Sequence, residues 1–214
     1  MRSRFDEQLA ELNQEMTEMG GLCEKTLGMA AKALVENDKA LAAQVIPVAA
    51  GIDRQEKNIE TLCLRLLLQQ QPVARDLRQI SAALKMITDM ERIGDQAEDI
   101  AEIIGFLNGH SIGECTQIAD MAQAASRMVT EAVDAYVRQD VELARSVLAY
   151  DDVVDEYFTV VKQKLIEMIA REPASGEYAL DLLMIAKYFE RIGDHATNIA
   201  EWVEFAVTGV HKNA

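Results

Sequence analysis

The chain has 214 residues, three Pro and a formal net charge of −15, long enough for one large domain or two small ones that bury roughly 70% of the unfolded surface without a disulfide staple. Scarce Pro, Gly kept mostly to segment ends and abundant Ala, Leu, Glu and Gln favour helices over strands. The acidic balance repels a phosphate backbone, which excludes nucleic acid as a partner.

Apolar residues recur at helical spacing over 5–35 (Leu9, Leu12, Met16, Met19, Cys23, Leu27, Ala30, Ala31, Leu34), which predicts a long first helix. Asn37 and Asp38 then supply a stop and a new N-cap. A short second helix is predicted over 38–45, ended near Pro47, and a third over 49–70, closed by Gln71-Pro72 because Pro biases the preceding residue away from helix. A fourth runs over 73–107. Turn formers cluster without periodicity over 108–113, so the junction between halves is placed there. The plan then repeats: a long helix over 116–138, a short one over 140–148 capped by Asp140, a third over 152–171 broken by Glu172-Pro173, and a last over 178–207 that ends at Gly209.

Long amphipathic helices with short connections pack as antiparallel bundles. The expected fold is therefore all-α, two pseudo-symmetric three-helix bundles over 1–108 and 109–214, each with a short extra helix. One continuous body and two separable domains both fit this pattern.

Cys23, Cys63 and Cys115 are odd in number and far apart, with no C-x-x-C spacing, so they read as buried reduced thiols and favour a cytoplasmic location. The first residues lack an apolar signal-peptide region, and no run approaches the ~18 apolar residues of a membrane span.

The strongest signal is a repeat. Glu91-Arg-Ile-Gly-Asp-Gln-Ala-Glu-Asp-Ile-Ala-Glu102 returns 99 residues later as Glu190-Arg-Ile-Gly-Asp-His-Ala-Thr-Asn-Ile-Ala-Glu201, with nine of twelve positions identical. At ~100° per residue, Glu91, Asp95, Glu98, Asp99 and Glu102 fall within one arc of roughly 100°, opposite Ile93, Ile100 and Ile104. The second copy keeps Glu190, Asp194 and Glu201 but carries Thr197 and Asn198 in place of two acids. Like charges one turn apart destabilise a helix by about 0.2–0.5 kcal/mol per pair, a cost that bound cations remove. Oxygen-only ligands suit magnesium, manganese or calcium, and converging carboxylates can also bridge iron.

Asp53 and Glu56 match Asp152 and Asp155 at the same offset and either add ligands across a groove or serve the helix dipole. Gly94 and Gly193, each about 1 kcal/mol unfavourable mid-helix, call for close approach by a helix or a ligand. Arg92 and Arg191 lie beside the stripe and read as local ion-pair partners or as phosphate forks. His195 borders the apolar face beside Trp202 and reads as a structural histidine.

Both Glu-Arg-Ile-Gly-Asp blocks, Met19-Gly-Gly-Leu-Cys and Gln71-Pro-Val-Ala-Arg-Asp-Leu-Arg78 resemble the PhoU family, and the resemblance runs over nearly the whole chain. It implies paired three-helix bundles and a cytoplasmic, non-enzymatic, homodimeric regulator that restrains phosphate uptake and the phosphate-starvation response. The implied partners are the phosphate ABC transporter, through its ATPase, and a phosphate-sensing histidine kinase. It further implies metal binding by Glu91, Asp95 and Asp99 in one half and by Glu190 and Asp194 in the other, with Asn198 departing from the acidic pattern. Asp53, Glu56, Asp152, Asp155, Glu98, Glu102 and Glu201 are flanking candidates, and iron, manganese, magnesium, calcium or zinc the candidate ions.

Arg75 and Arg78 have no counterpart in the second half, where Tyr178-Ala-Leu-Asp-Leu-Leu is apolar, and are read as partner-facing. Two rival functions stand beside the adaptor. A metal-free scaffold would use its acidic stripes for charge alone. A dimetal enzyme would need Glu-x-x-His pairs, and none of the three His follows a Glu at that spacing.

Overall fold

The computed structural model describes residues 2–69, 72–107, 112, 113 and 115–210. Those residues form α1 (Arg2–Glu36), α2 (Lys39–Gln69), α3 (Ala74–Phe106), α4 (Gln117–Arg138), α5 (Val141–Arg171) and α6 (Gly176–Thr208), with a 3₁₀ turn at Pro173–Ser175 and no strand among the described residues. The helix ends follow local chemistry. Asn37 and Gln139 take left-handed φ of 52° and 55°, which closes α1 and α4. The next residue caps the following helix: Leu41 N–H donates to Asp38 Oδ1 at 2.9 Å, and Leu143 N–H to Asp140 Oδ1 at 3.0 Å. Gly209, φ 78°, closes α6.

The short helices expected over 38–45 and 140–148 are not separate elements. Each runs unbroken into the helix after it, giving α2 and α5 of 31 residues each. Pro47 fails to end α2 because it lies on the exposed side, and the carbonyl deprived of its donor belongs to Ala43, also exposed, where water can satisfy it. In α5, residues 148–152 contain neither Gly nor Pro to break the helix. Pro47→Ala is expected to stabilise the protein by about 1–2 kcal/mol, because the helix-interior penalty of Pro exceeds the unfolded-chain entropy it removes. Thermal denaturation should show a rise of roughly 2–8 °C at this chain length. A lower melting temperature would mean that packing requires a bend at Pro47.

Each half is a three-helix bundle, α1–α3 and α4–α6. The halves face each other through α1 against α4 and α3 against α6, leaving α2 and α5 outermost. One hydrophobic cluster, from Phe5 to Val203, takes residues from all six helices. α3 and α6 cross antiparallel about a near-two-fold axis, where Gln96 Nε2 meets its repeat counterpart His195 Nε2 at 3.1 Å, 99 residues away in the chain. Of the junction expected at 108–113, residues 108–111 lie outside the described residues.

The three cysteines are free and buried. Burial pushes the Cys23 and Cys63 thiols up to about 12, which leaves them inert at neutral pH. Among the described residues, no helix is long and apolar enough to cross a membrane.

Candidate metal centres

Gly94 sits mid-α3 because α2 comes too close for a side chain: a Cβ there would lie 2.9 Å from Ile52 Cδ1. That approach places Asp53, next to Ile52, opposite Glu91 and Asp95. Each of the three offers a carboxylate oxygen within 4.8 Å of the other two. Oxygens bound to one calcium at about 2.3–2.6 Å are separated by no more than roughly twice that distance, so the trio fits a hard cation with water completing its shell. No sulfur or imidazole is in the donor set, which disfavours softer ions.

The charges here are poorly compensated. Burial foremost, then the charges of Glu60 and Asp53, raise the Glu56 carboxyl. Burial, then Asp95, Glu56 and Asp53, raise Glu91, with Arg92 opposing. Asp95 is raised by burial, Asp53 and Asp99, and Glu98 by burial, Glu102 and Asp95. A bound cation would reverse these shifts by favouring the ionised forms.

The second groove, between α5 and α6, has a different floor. Asp151 takes the repeat position that Ile52 holds in the first half, and its Oδ1 would lie 3.4 Å from a Cβ on Gly193. Burial foremost, then the charges of Asp155, Asp194, Asp152 and Glu190, push the Asp151 carboxyl up to about 6. Asp194 is raised by burial, Glu190 and Asp155, and lowered by Lys187 and His195. Lys187 Nζ pairs with Glu190, so one cation is already built into this groove. Asp151 was not among the sequence candidates, because repeat matching sets it against an isoleucine. Its spacing of four from Asp155, one face of one helix, was the available signal.

Because the folded-state pKa of Asp151 is raised above the ordinary aspartate value of 3.8, the folded protein binds its proton more tightly than the unfolded chain does. This group therefore disfavours folding above about pH 6, and the penalty fades as pH falls from about 6 towards 3.8. Asp151→Asn is expected to raise the melting temperature of metal-free protein at pH 7 and to flatten its rise between pH 7 and pH 5. Parallel pH curves for variant and wild type would sink this assignment.

The remaining candidates are distributed as follows. Asp155 and Asp152 are exposed along the second groove, and Glu98 is half-buried beside Asp95. Asp99 turns towards α6 and hydrogen-bonds Tyr188, whose phenol is raised by burial and then by Asp99. Glu102 is exposed and Glu201 half-buried. Asn198 is exposed on α6, and its amide donates to Asp89 Oδ1 at 3.1 Å, within the α3–α6 interface. The same oxygen lies 2.8 Å from His195 Nδ1, so His195 has the structural place expected of it. Asp89 is the repeat counterpart of Tyr188, so the Asp89–Asn198 and Tyr188–Asp99 contacts are related by the near-two-fold.

Arg75 is exposed. Arg78 is half-buried and packs its guanidinium on the α6 C-cap, with Cζ 3.5 Å from where a Cβ of Gly209 would lie. A cation there suits the negative end of the helix dipole and ties α3 to α6.

The family model for the PhoU domain matches this chain twice, over residues 16–104 and 118–203. The chain is 36% identical over 208 residues to a phosphate-specific transport system accessory protein PhoU homolog of Pseudomonas aeruginosa, covering 96% of this chain and 86% of the relative. A homolog of the same description from Clostridium acetobutylicum is 35% identical over 210 residues, covering 97% and 96%. The fold superimposes on the crystal structure of PhoU from Pseudomonas aeruginosa with a TM-score of 0.92 and 35% identity, covering 96% of this chain and 100% of that one. For the phosphate transport system regulatory protein PhoU from Streptococcus pneumoniae the TM-score is 0.90 at 28% identity, covering 97% and 98%.

Proposed function

From the premise that the chain belongs to the PhoU family, we propose that it is a non-catalytic regulatory adaptor of phosphate homeostasis, acting from the cytoplasm to restrain phosphate uptake and phosphate-starvation signalling. Its partners in this reading are the ATPase of a phosphate ABC transporter and a phosphate-sensing histidine kinase, and its working form is a homodimer. The observation that carries the reading is the family match through both repeats at nearly full length, to relatives described as accessory proteins of phosphate-specific transport.

The metal part of the proposal is supported by the convergence of Asp53, Glu91 and Asp95 and by the shared upward shift of the carboxyls around them. Those residues would hold the ion, and its charge would fix α2 against α3. Asp151, Asp155, Glu190 and Asp194 would form a second site, weakened by the ammonium of Lys187. Arg75, exposed at the start of α3, is proposed to contact a partner, whereas Arg78 positions that helix end.

Surface plasmon resonance against the purified transporter ATPase and the cytoplasmic part of the kinase tests this reading. Wild type is expected to bind both, and Arg75→Glu to weaken binding to at least one by about tenfold, or ~1.4 kcal/mol, with melting temperature unchanged. Absence of wild-type binding to either protein would overturn the adaptor.

A further inference from the structure

Where α3 crosses α6, a cleft of about 290 Å³ is lined by Glu91, Arg92, Asp95, Gln96 and Asp99 of α3 and by Arg191 of α6. Arg92 and Arg191 are repeat counterparts, so the near-two-fold that sets Gln96 against His195 brings one guanidinium from each half to the same opening. Both arginines are exposed, and neither forms an ion pair among the described residues, although carboxylates line the same cleft.

Gln96 supplies an independent sign of a ligand. It is 6% exposed, and its Oε1 is buried with no bonded partner. Its amide nitrogen, and not its oxygen, is turned to His195 Nε2, the arrangement that pairs with an imidazole carrying its proton on Nδ1 alone, towards Asp89. Gln96, which lines the cleft, thus has an acceptor that lacks a donor, a costly arrangement for a buried oxygen.

The cleft therefore combines two cationic forks with acceptors, Gln96 Oε1 and the Asp99 carboxylate. A fully ionised oxyanion such as sulfate has only acceptors to offer and would be opposed by both. Hydrogen phosphate offers an O–H to an acceptor while its other oxygens accept from planar guanidiniums. Glu91 and Asp95 belong both to this cleft and to the Asp53 group, so a cation held there would offset their repulsion of an anion.

We infer that this cleft binds inorganic hydrogen phosphate between Arg92 and Arg191 when a divalent cation occupies the Asp53, Glu91 and Asp95 group. The inference rests on the metal reading above. It makes the crossing of the two halves the place where phosphate is read, with metal and phosphate each tightening the other's binding.

Equilibrium dialysis of the full chain with radiolabelled phosphate, with and without saturating manganese, tests it, alongside a separate manganese titration. Phosphate is expected to bind at about one per chain with manganese, about tenfold more weakly without it, and to resist excess sulfate. Arg92→Gln/Arg191→Gln should weaken phosphate by at least about tenfold while the protein still binds manganese stoichiometrically and keeps its helicity. Manganese bound without phosphate would overturn the inference and leave the metal reading standing. Failure to bind either would overturn both. Equal binding without manganese, equal displacement by sulfate, an unaffected double variant, or preferential displacement by glycerol 3-phosphate, which would assign the cleft to phosphate monoesters, would each overturn it as well.

Discussion

Changing Glu91 to Gln and Asp95 to Asn together is expected to stabilise the metal-free protein and to abolish its stabilisation by divalent cations. Without metal, both carboxyls are raised by burial and by neighbouring acids, so their charges oppose folding. Removing them should add about 1 kcal/mol, or roughly 2–4 °C in melting temperature. In wild type, a cation at 100 times its Kd adds about 2.7 kcal/mol, or roughly 5–10 °C. The variant, left with Asp53 alone of the converging trio, should show no such increment. Calorimetry with chelator and then with manganese reads both effects, and a less stable apo variant would contradict the electrostatic account.

The pH dependence has opposite signs in the two states. Glu56, Glu91, Asp95 and Glu98 have folded-state pKa values above their unfolded ones, so metal-free stability should rise as pH falls from 7 towards about 4.5. Metal binding requires the ionised forms, so the increment from cations should shrink over the same range.

The second large effect concerns how the halves are joined. A Cβ on Gly20 in α1 would lie 2.7 Å from Val133 Cγ1 and 3.2 Å from Val133 Cβ in α4. Val133 is β-branched and nearly fixed at χ1 within a helix, so it cannot swing away. Gly20→Val is expected to destabilise by about 3 kcal/mol and to lower the melting temperature by roughly 6–12 °C. Gly21 is the control: a Cβ there meets nothing within 4 Å, so Gly21→Ala should stabilise by about 1 kcal/mol through helix propensity. Because one apolar cluster runs through both halves, each variant should still unfold in a single transition. Two separated transitions would show that the halves fold independently.

Local chemistry made the helix ends legible: Asp38, Asp140 and Gly209 act within a few residues of where they stand. The break expected at Pro47 fails because the exposure of Pro47 and Ala43 is a property of the assembled bundle, which no local window contains. Glu91 and Asp95 were legible because the block recurs, and the family resemblance of that block agrees with the domain matches over both halves. Asp151 was hidden by the same repeat that revealed the others. Helical angle places Asn198 on an arc without saying which neighbour faces it. Here α3 faces part of that arc, and Asp89 engages the amide.

The claim that the acidic grooves hold cations is tested most directly by elemental analysis of protein purified without chelator or affinity-tag metal. Wild type should be compared with Glu91→Gln/Asp95→Asn and Glu190→Gln/Asp194→Asn, with helicity checked by circular dichroism. The account predicts stoichiometric metal in wild type and a stepwise loss in the folded variants, one site with each pair. Wild type without metal above background, or metal content unchanged in both variants, would contradict it and leave an adaptor whose acidic faces act by charge alone.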